Sequence, residues 1–392
     1  MEFIDLAPQQ KRIRDKIEAN IRAVLDHCKY ILGPEVKALE DRLAEYVRVK
    51  HAIACASGTD ALLLALLAKN CGPGDAIFTT PFTFIATAEV ISLIGATPIF
   101  VDIDPNTFNI DPAKLELAIK ALKSRDRRIY PLPSTMNSHL SAITAKGVIP
   151  VDLFGLPADY DSINVVAGRS DLFVIADAAQ SFGAEYKSRK ACSLGDVACT
   201  SFFPSKPLSC YGDGGMCFTD DENLADLMRS IRVHGKGNHK YENVRVGING
   251  RLDTMQAAIL LAKFDIFSEE IELRNQVASR YTEPLRLLES LITPDIPYGY
   301  KSAWALYSVL ARDEQHRSAF QKRLRETGVP TAVYYPKPLH LQKAFAFLGY
   351  KEGDFPESED CSRRIFSLPM HPYLNEEEQQ LITEVLLKND QL

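Results

Sequence analysis

The sequence predicts an α/β protein, with a large domain built on a mainly parallel sheet and a smaller α+β domain after it. Three observations carry this. Short apolar runs alternate with helical patterns from His51 to Ala176, and strands apolar on both faces belong in a sheet that helices cover on both sides. Beyond Asp253 the rhythm gives way to one long helical stretch and then to a separate set of strands and helices. The 392 residues also exceed a single core of roughly 200–250 residues. The expected division is 1–252 and 253–392.

In chain order, Gly33-Pro34 starts a helix with apolar spacing from Val36 to Val47. His51–Cys55 is a strand, and ALLLALLA (Ala61–Ala68), too short to span a bilayer, is a buried helix. Strands at Ala76–Thr79, Pro98–Val101, Val148–Val151 and Leu172–Ala176 are separated by helices at Phe84–Leu93, Asp111–Leu122 and Asp159–Ala167. The stretch Ser124–Ala145, rich in Pro, Ser and basic residues, interrupts the pattern and reads as a solvated insertion. A long helix covers roughly Asp253 to Leu288. Strands at Trp304–Leu310 and Thr331–Tyr334 and helices at Arg317–Glu326 and Glu376–Leu387 follow.

Lys plus Arg is 45 against 51 Asp plus Glu, a net charge of −6. That balance points away from nucleic acid and anionic membranes as partners. The N-terminal residues lack an apolar signal core, and the eight cysteines form no CxxC pair. A reduced, cytoplasmic protein without disulfides is expected. Scattered histidines give no metal motif, so no metal site is expected.

Three local features carry chemistry. Ser57-Gly58-Thr59 sits between a strand and a helix, where backbone amides can hold a phosphate; alone it serves equally as a helix cap. Asp177 ends the strand VIAD and is followed by Ala178-Ala179-Gln180-Ser181. Ligands of open α/β sheets bind at that edge, although a structural acid fits there too. In SFFPSKPLSCYGDGG, Lys206 lies between two strand-like segments, framed by apolar residues, Pro207 and a glycine turn. An amine, an acid and a phosphate cradle together point to pyridoxal phosphate. The lysine would form the Schiff base and then shuttle protons, while the carboxylate keeps the pyridine nitrogen protonated.

The segments IDLAPQQ, YILGPEV, SGTDALLLAL, TFIATAEV, DAAQSFGA, SFFPSKPL, GDGG and GINGRLDTMQAAIL run through nearly the whole chain. In this set and order the chain resembles the DegT/DnrJ/EryC1/StrS sugar aminotransferases. The resemblance implies the fold type I of pyridoxal 5'-phosphate enzymes, related to aspartate aminotransferase. It makes Lys206 the Schiff-base lysine, Asp177 the partner of the pyridine nitrogen and Gln180 the contact of the phenolic oxygen. Gly58, Thr59 and Ser201 match phosphate-binding positions, and Phe84 matches the residue that stacks on the ring. Asn249 matches an asparagine reaching the phosphate from a partner subunit, which implies a homodimer.

The similarity further implies amination of C3 of UDP-2-acetamido-2-deoxy-3-oxo-glucuronic acid, with glutamate as donor, for bacterial surface polysaccharide. Another UDP- or dTDP-ketohexose is the alternative substrate. Arg251 is the candidate for a substrate carboxylate, or else for a salt bridge at the start of the long helix. Tyr334 and Tyr335 match a substrate-facing stretch, with Tyr334 where the family usually has histidine. Family members with a histidine at the lysine position are dehydratases, so Lys206 favours transamination. A cysteine desulfurase would need Cys361 to be reactive, and a non-catalytic regulator would not need Lys206, Asp177 and Gln180 together.

Overall fold

The structure is a computed structural model that describes residues 1–134, 143–239 and 241–388. Its large sheet has seven strands: β1 (His51–Cys55), β2 (Asp75–Thr79), β3 (Thr97–Phe100), β4 (Thr144–Ile149), β5 (Phe173–Asp177), β8 (Val197–Ser201) and β9 (Gly215–Thr219). Two-residue strands β6 (Glu185–Tyr186) and β7 (Arg189–Lys190) pair with β11 (Tyr300–Lys301). The large sheet runs in the order β1-β9-β8-β5-β4-β2-β3. Its pairs from β8 to β3 are parallel, and β9 runs against both neighbours.

Alternation along the strands divides the core. Ala52, Ala54, Ala76 and Phe78 face one apolar cluster, while Ile53, Cys55 and Ile77 face the other. Helices α2 (Pro34–Val47), α5 (Pro112–Ser124), α6 (Tyr160–Gly168) and α8 (Thr254–Leu285) cover the first side. The second is covered by α3 (Gly58–Ala68), α4 (Ala86–Leu93) and α7 (Glu222–Ile231). Helix α1 (Ala7–His27) lays Ile13 and Ile17 on Ile259 and Ala262 of α8.

The distal half of α8 supports a three-stranded sheet of β10 (Leu291–Ile292), β12 (Tyr307–Ala311) and β13 (Ile365–Leu368). With α9 (Glu314–Glu326) and α11 (Glu376–Leu387) these form a third core, beside α10 (Pro356–Arg364). Residues 339–355 leave this core and pack on the edge of the large sheet, where Phe345 and Tyr350 lie 5.7 and 5.6 Å from the Phe100 ring.

Two expectations are corrected. Thr331–Tyr334 is no strand: it makes a single bridge, Ala332 to Ser367, because its apolar side chains are used against other partners. Val333 and Tyr334 pack on a cluster that contains Phe82, Leu306 and Leu310. The Ser124–Ala145 stretch is not a solvated loop at its described ends. Tyr130 and Leu132 are buried, Tyr130 accepts the Asp102 N–H at 2.8 Å, and Thr144–Ala145 belong to β4. Its middle, 135–142, lies outside the described residues. Among the described residues no helix is long and apolar enough to cross a membrane.

Candidate active site

The C-terminal ends of β2, β4, β5 and β8 come out at one edge, where open α/β sheets bind ligands. A cavity of about 710 Å³ opens there. Asp177 ends β5, Ser201 ends β8, and Gly58 and Thr59 begin α3. All four line the cavity, as do Phe84, Gln180, Lys206, Tyr334 and Tyr335.

The N-terminus of α3 is packed for close backbone approach. Ser57 caps it by accepting the Asp60 N–H at 3.0 Å, which leaves the amides of Gly58 and Thr59 without an intrahelical acceptor. A Cβ on Gly58 would lie 2.7 Å from the Ser201 Cβ, and one on Gly215 would lie 2.3 Å from the Ser57 carbonyl oxygen. Only glycine fits either position. The result is a concave set of free amides beside the Ser201 hydroxyl, with the positive end of a helix dipole behind it, a fit for a phosphate.

Asp177 is 5 % exposed. Its Oδ2 accepts the Thr87 hydroxyl at 2.7 Å and its Oδ1 the Ala179 N–H at 3.2 Å. Burial pushes its carboxyl up, while those donors and the Lys206 charge pull it down. Lys206 shares the balance: burial pushes its amine below the usual lysine range, and Asp177 opposes that. Gln180 is held by the Phe154 N–H, which donates to its Oε1 at 2.8 Å. Its amide nitrogen therefore faces the cavity as a donor, 3.4 Å from the Tyr335 hydroxyl. A buried acid, a neutralisable amine and a phosphate cradle in one cavity fit a pyridine aldehyde phosphate.

Asn249 and Arg251 are not brought to this cavity by their own chain. Asn249 is exposed and Arg251 half-buried, with its Nε buried and unpartnered. Their loop is tied to the α3 start by the Ala56 N–H, which donates to the Gly250 carbonyl at 3.1 Å. Sequence reasoning missed Thr87, Ile4, Phe203, Leu306 and Val333, which also line the cavity. Thr87 lies within TFIATAEV, Ile4 within IDLAPQQ and Phe203 within SFFPSKPL, and Val333 precedes Tyr334, so these four were open to notice; Leu306 comes from a segment with no such signal. Cys361 is buried among apolar side chains, and burial pushes its thiol up to about 12, so it is no nucleophile. Among the described residues no group of His, Cys, Asp and Glu converges as a metal site.

The family model described as "DegT/DnrJ/EryC1/StrS aminotransferase family" matches residues 11–387. The UDP-2-acetamido-2-deoxy-3-oxo-D-glucuronate aminotransferase of Pseudomonas aeruginosa is 49% identical over 375 residues, 96% of each chain. A crystal structure of a DegT DnrJ EryC1 StrS aminotransferase from Brucella abortus superposes with a TM-score of 0.92 at 45% identity, over 100% of both chains. NtdA of Bacillus subtilis, solved with bound cofactor PMP, gives 0.85 at 30% identity over 100% of this chain and 83% of its own. The chain belongs to the DegT/DnrJ/EryC1/StrS aminotransferase family and has the fold type I architecture.

Proposed function

We propose that the chain is a cytoplasmic, pyridoxal 5'-phosphate-dependent aminotransferase that takes its amino group from L-glutamate. The acceptor is C3 of UDP-2-acetamido-2-deoxy-3-oxo-glucuronic acid, for surface polysaccharide. The observation that carries this reading is the joint placement of Lys206, Asp177 and the Gly58–Ser201 cradle in one cavity. The named Pseudomonas relative supports the choice of sugar.

Bound pyridoxal phosphate supplies an aldehyde that captures amines and a ring that withdraws electrons from the substrate carbon. The chain's residues do the rest. Gly58, Thr59 and Ser201 bind the phosphate, and Phe84 covers a ring face. Asp177, oriented by Thr87 and Ala179, holds a proton on the ring nitrogen. Gln180 donates its amide to the phenolic oxygen. Lys206, an amine that burial keeps closer to neutral, takes the proton from one carbon and returns it to another. Residues 1–252 hold the cofactor, and residues 253–392 close the sugar side through Tyr334 and Tyr335.

Among the described residues Lys206 is the sole basic side chain that lines the cavity. A sugar diphosphate bearing a carboxylate needs more cations than that. The reading therefore includes a homodimer, in which a second copy brings Asn249 to the phosphate and Arg251 to the uronate. The test is a pair of half-reactions on purified holoprotein. Glutamate should shift the cofactor absorbance to shorter wavelength and release 2-oxoglutarate, and the 3-oxo-uronate nucleotide should restore the original band. No spectral change with any amino acid would overturn the enzyme, and restoration only by uncharged ketohexose nucleotides would overturn the sugar.

A further inference from the structure

Beneath the turn that carries Asp177 and Gln180 lies a second carboxyl, Asp152, with no solvent exposure. It follows β4, and its backbone is stitched to the end of β5: its N–H donates to the Asp177 carbonyl at 3.0 Å, and the Asp177 N–H donates to the Pro150 carbonyl at 2.9 Å. Three donors converge on its side chain. Ser181 donates to Oδ2 at 2.6 Å, while Ala158 N–H and the Tyr160 hydroxyl donate to Oδ1 at 2.9 and 2.8 Å. One carboxyl thus ties the far end of the Asp177–Ser181 turn to α6 and to the segment whose Phe154 N–H holds Gln180.

We propose that Asp152 is a positioning residue for the cofactor: it fixes the turn that aims Asp177 and Gln180, and its negative charge favours the proton on the ring nitrogen. The proposal rests on the cofactor reading above and goes beyond it.

The electrostatics support the geometry. Burial pushes the Asp152 carboxyl up to about 7, against the pull of its three donors, and the Asp177 charge adds to that rise. The titratable groups facing it are Asp177 at the end of β5, Tyr160 of α6 and Cys192 after β7. Burial holds the Tyr160 hydroxyl and the Cys192 thiol protonated well above neutrality. Within this cluster it is the Asp152 carboxyl that burial brings close to neutrality. Loss of the Asp152 proton as pH rises through that range adds a negative charge beside the turn that carries Asp177.

The test is the affinity of apo-protein for pyridoxal phosphate, read by absorbance and fluorescence across pH. Asp152→Asn keeps the shape and removes the charge. Its dissociation constant should match the wild type at about pH 5.5 and exceed it about tenfold at about pH 8.5, the effect of carboxyls coupled by about one pK unit. A ratio that is the same at every pH overturns the proposal, because a merely structural role would give that. Should Asp152→Asn fail to fold, Ser181→Ala decides. It keeps the carboxyl and removes one donor, so the pH at which affinity falls should rise by about one unit; an unmoved profile overturns the proposal. Wild-type protein that binds no pyridoxal phosphate at any pH would instead overturn the cofactor reading itself.

Discussion

The Thr87 hydroxyl donates to Asp177 Oδ2 at 2.7 Å, from the first turn of α4 to the last residue of β5. It is one of two donors that keep a buried carboxyl ionisable; the other, the Ala179 N–H, is longer at 3.2 Å. Thr87→Val keeps the shape and removes the donor, so the Asp177 carboxyl should rise further. One lost hydrogen bond to a charged group costs about 1.5 kcal/mol, or about tenfold in cofactor affinity. The sign with pH follows: the Asp177 charge is lost from the acid side, so the variant's affinity should fall at a higher pH than the wild type's. Equilibrium titration of apo-protein with pyridoxal phosphate checks both.

Gly215 is where β9 passes the start of α3. A Cβ there would lie 2.3 Å from the Ser57 carbonyl oxygen and 2.8 Å from the Gly58 nitrogen, both backbone atoms that cannot swing aside. Gly215→Ala should therefore push the phosphate amides out of place, with an overpacking cost of about 1–3 kcal/mol. Thermal unfolding of apo-protein reads that cost, and loss of phosphate and pyridoxal phosphate binding reads the displaced amides. Gly168→Ala is the control. It ends α6, its Cβ meets nothing within 4 Å, and it should leave phosphate binding unchanged and stability no lower, if anything raised by about 0.5–1 kcal/mol.

What was legible in the sequence was local. His51–Cys55, Ser57 as a cap, and an acid closing VIAD each declare themselves within a few residues, because strand alternation and capping are short-range effects. Helix α1 escaped notice because its buried positions, Ile13, Ile17 and Val24, are sparse among charged neighbours. Thr331–Tyr334 misled for another reason: its β-branched and aromatic residues favour a strand, but Val333 and Tyr334 are used to line the cavity. The partners that set the chemistry of Asp177, Gln180 and Asp152 come from other elements: Thr87, Phe154 N–H and Tyr160. No spacing within one segment encodes such contacts; the family resemblance supplied the roles, and the fold supplied the donors.

His371, 4 % exposed, is held neutral: burial first, then the Arg274 charge, pushes it down from 6.5 to about 4, against a weaker pull from Asp5. A depressed histidine binds fewer protons folded than unfolded, so its contribution costs stability as pH falls from about 6.5 towards 4 and is flat above that. The full displacement corresponds to about 3 kcal/mol at about 1.4 kcal/mol per tenfold. Asp152 acts with the opposite sign over an overlapping range, because its carboxyl is raised to about 7. Between about pH 4 and 7 the two slopes therefore cancel in part. His371→Gln removes one of them. Its destabilisation should be largest at pH 8 and shrink or reverse by about pH 5, as read from denaturant midpoints at each pH. A destabilisation independent of pH would show that His371 is not kept neutral.

Arg251 carries the prediction about shared sites. It does not line its own chain's cavity, its Nε is buried without a partner, and the cavity's lining includes the exposed rings of Phe84 and Phe203, at 55 and 50 %. A second copy across that mouth would cover the rings and add the cations the cavity lacks. Arg251→Ala should then weaken kcat/KM for the uronate nucleotide about 30-fold or more, the loss of a charge-assisted pair of about 2–3 kcal/mol. An uncharged hexose analogue should lose far less. Mixing decides between the two placements. When Arg251→Ala and Lys206→Ala chains are refolded together at equal amounts, a shared site leaves one heterodimer site with both residues intact. Random pairing makes half the dimers mixed, so about one quarter of the wild-type activity should return. If the arginine served its own chain's lysine, no dimer would hold an intact pair and the mixture would stay as inactive as its parts.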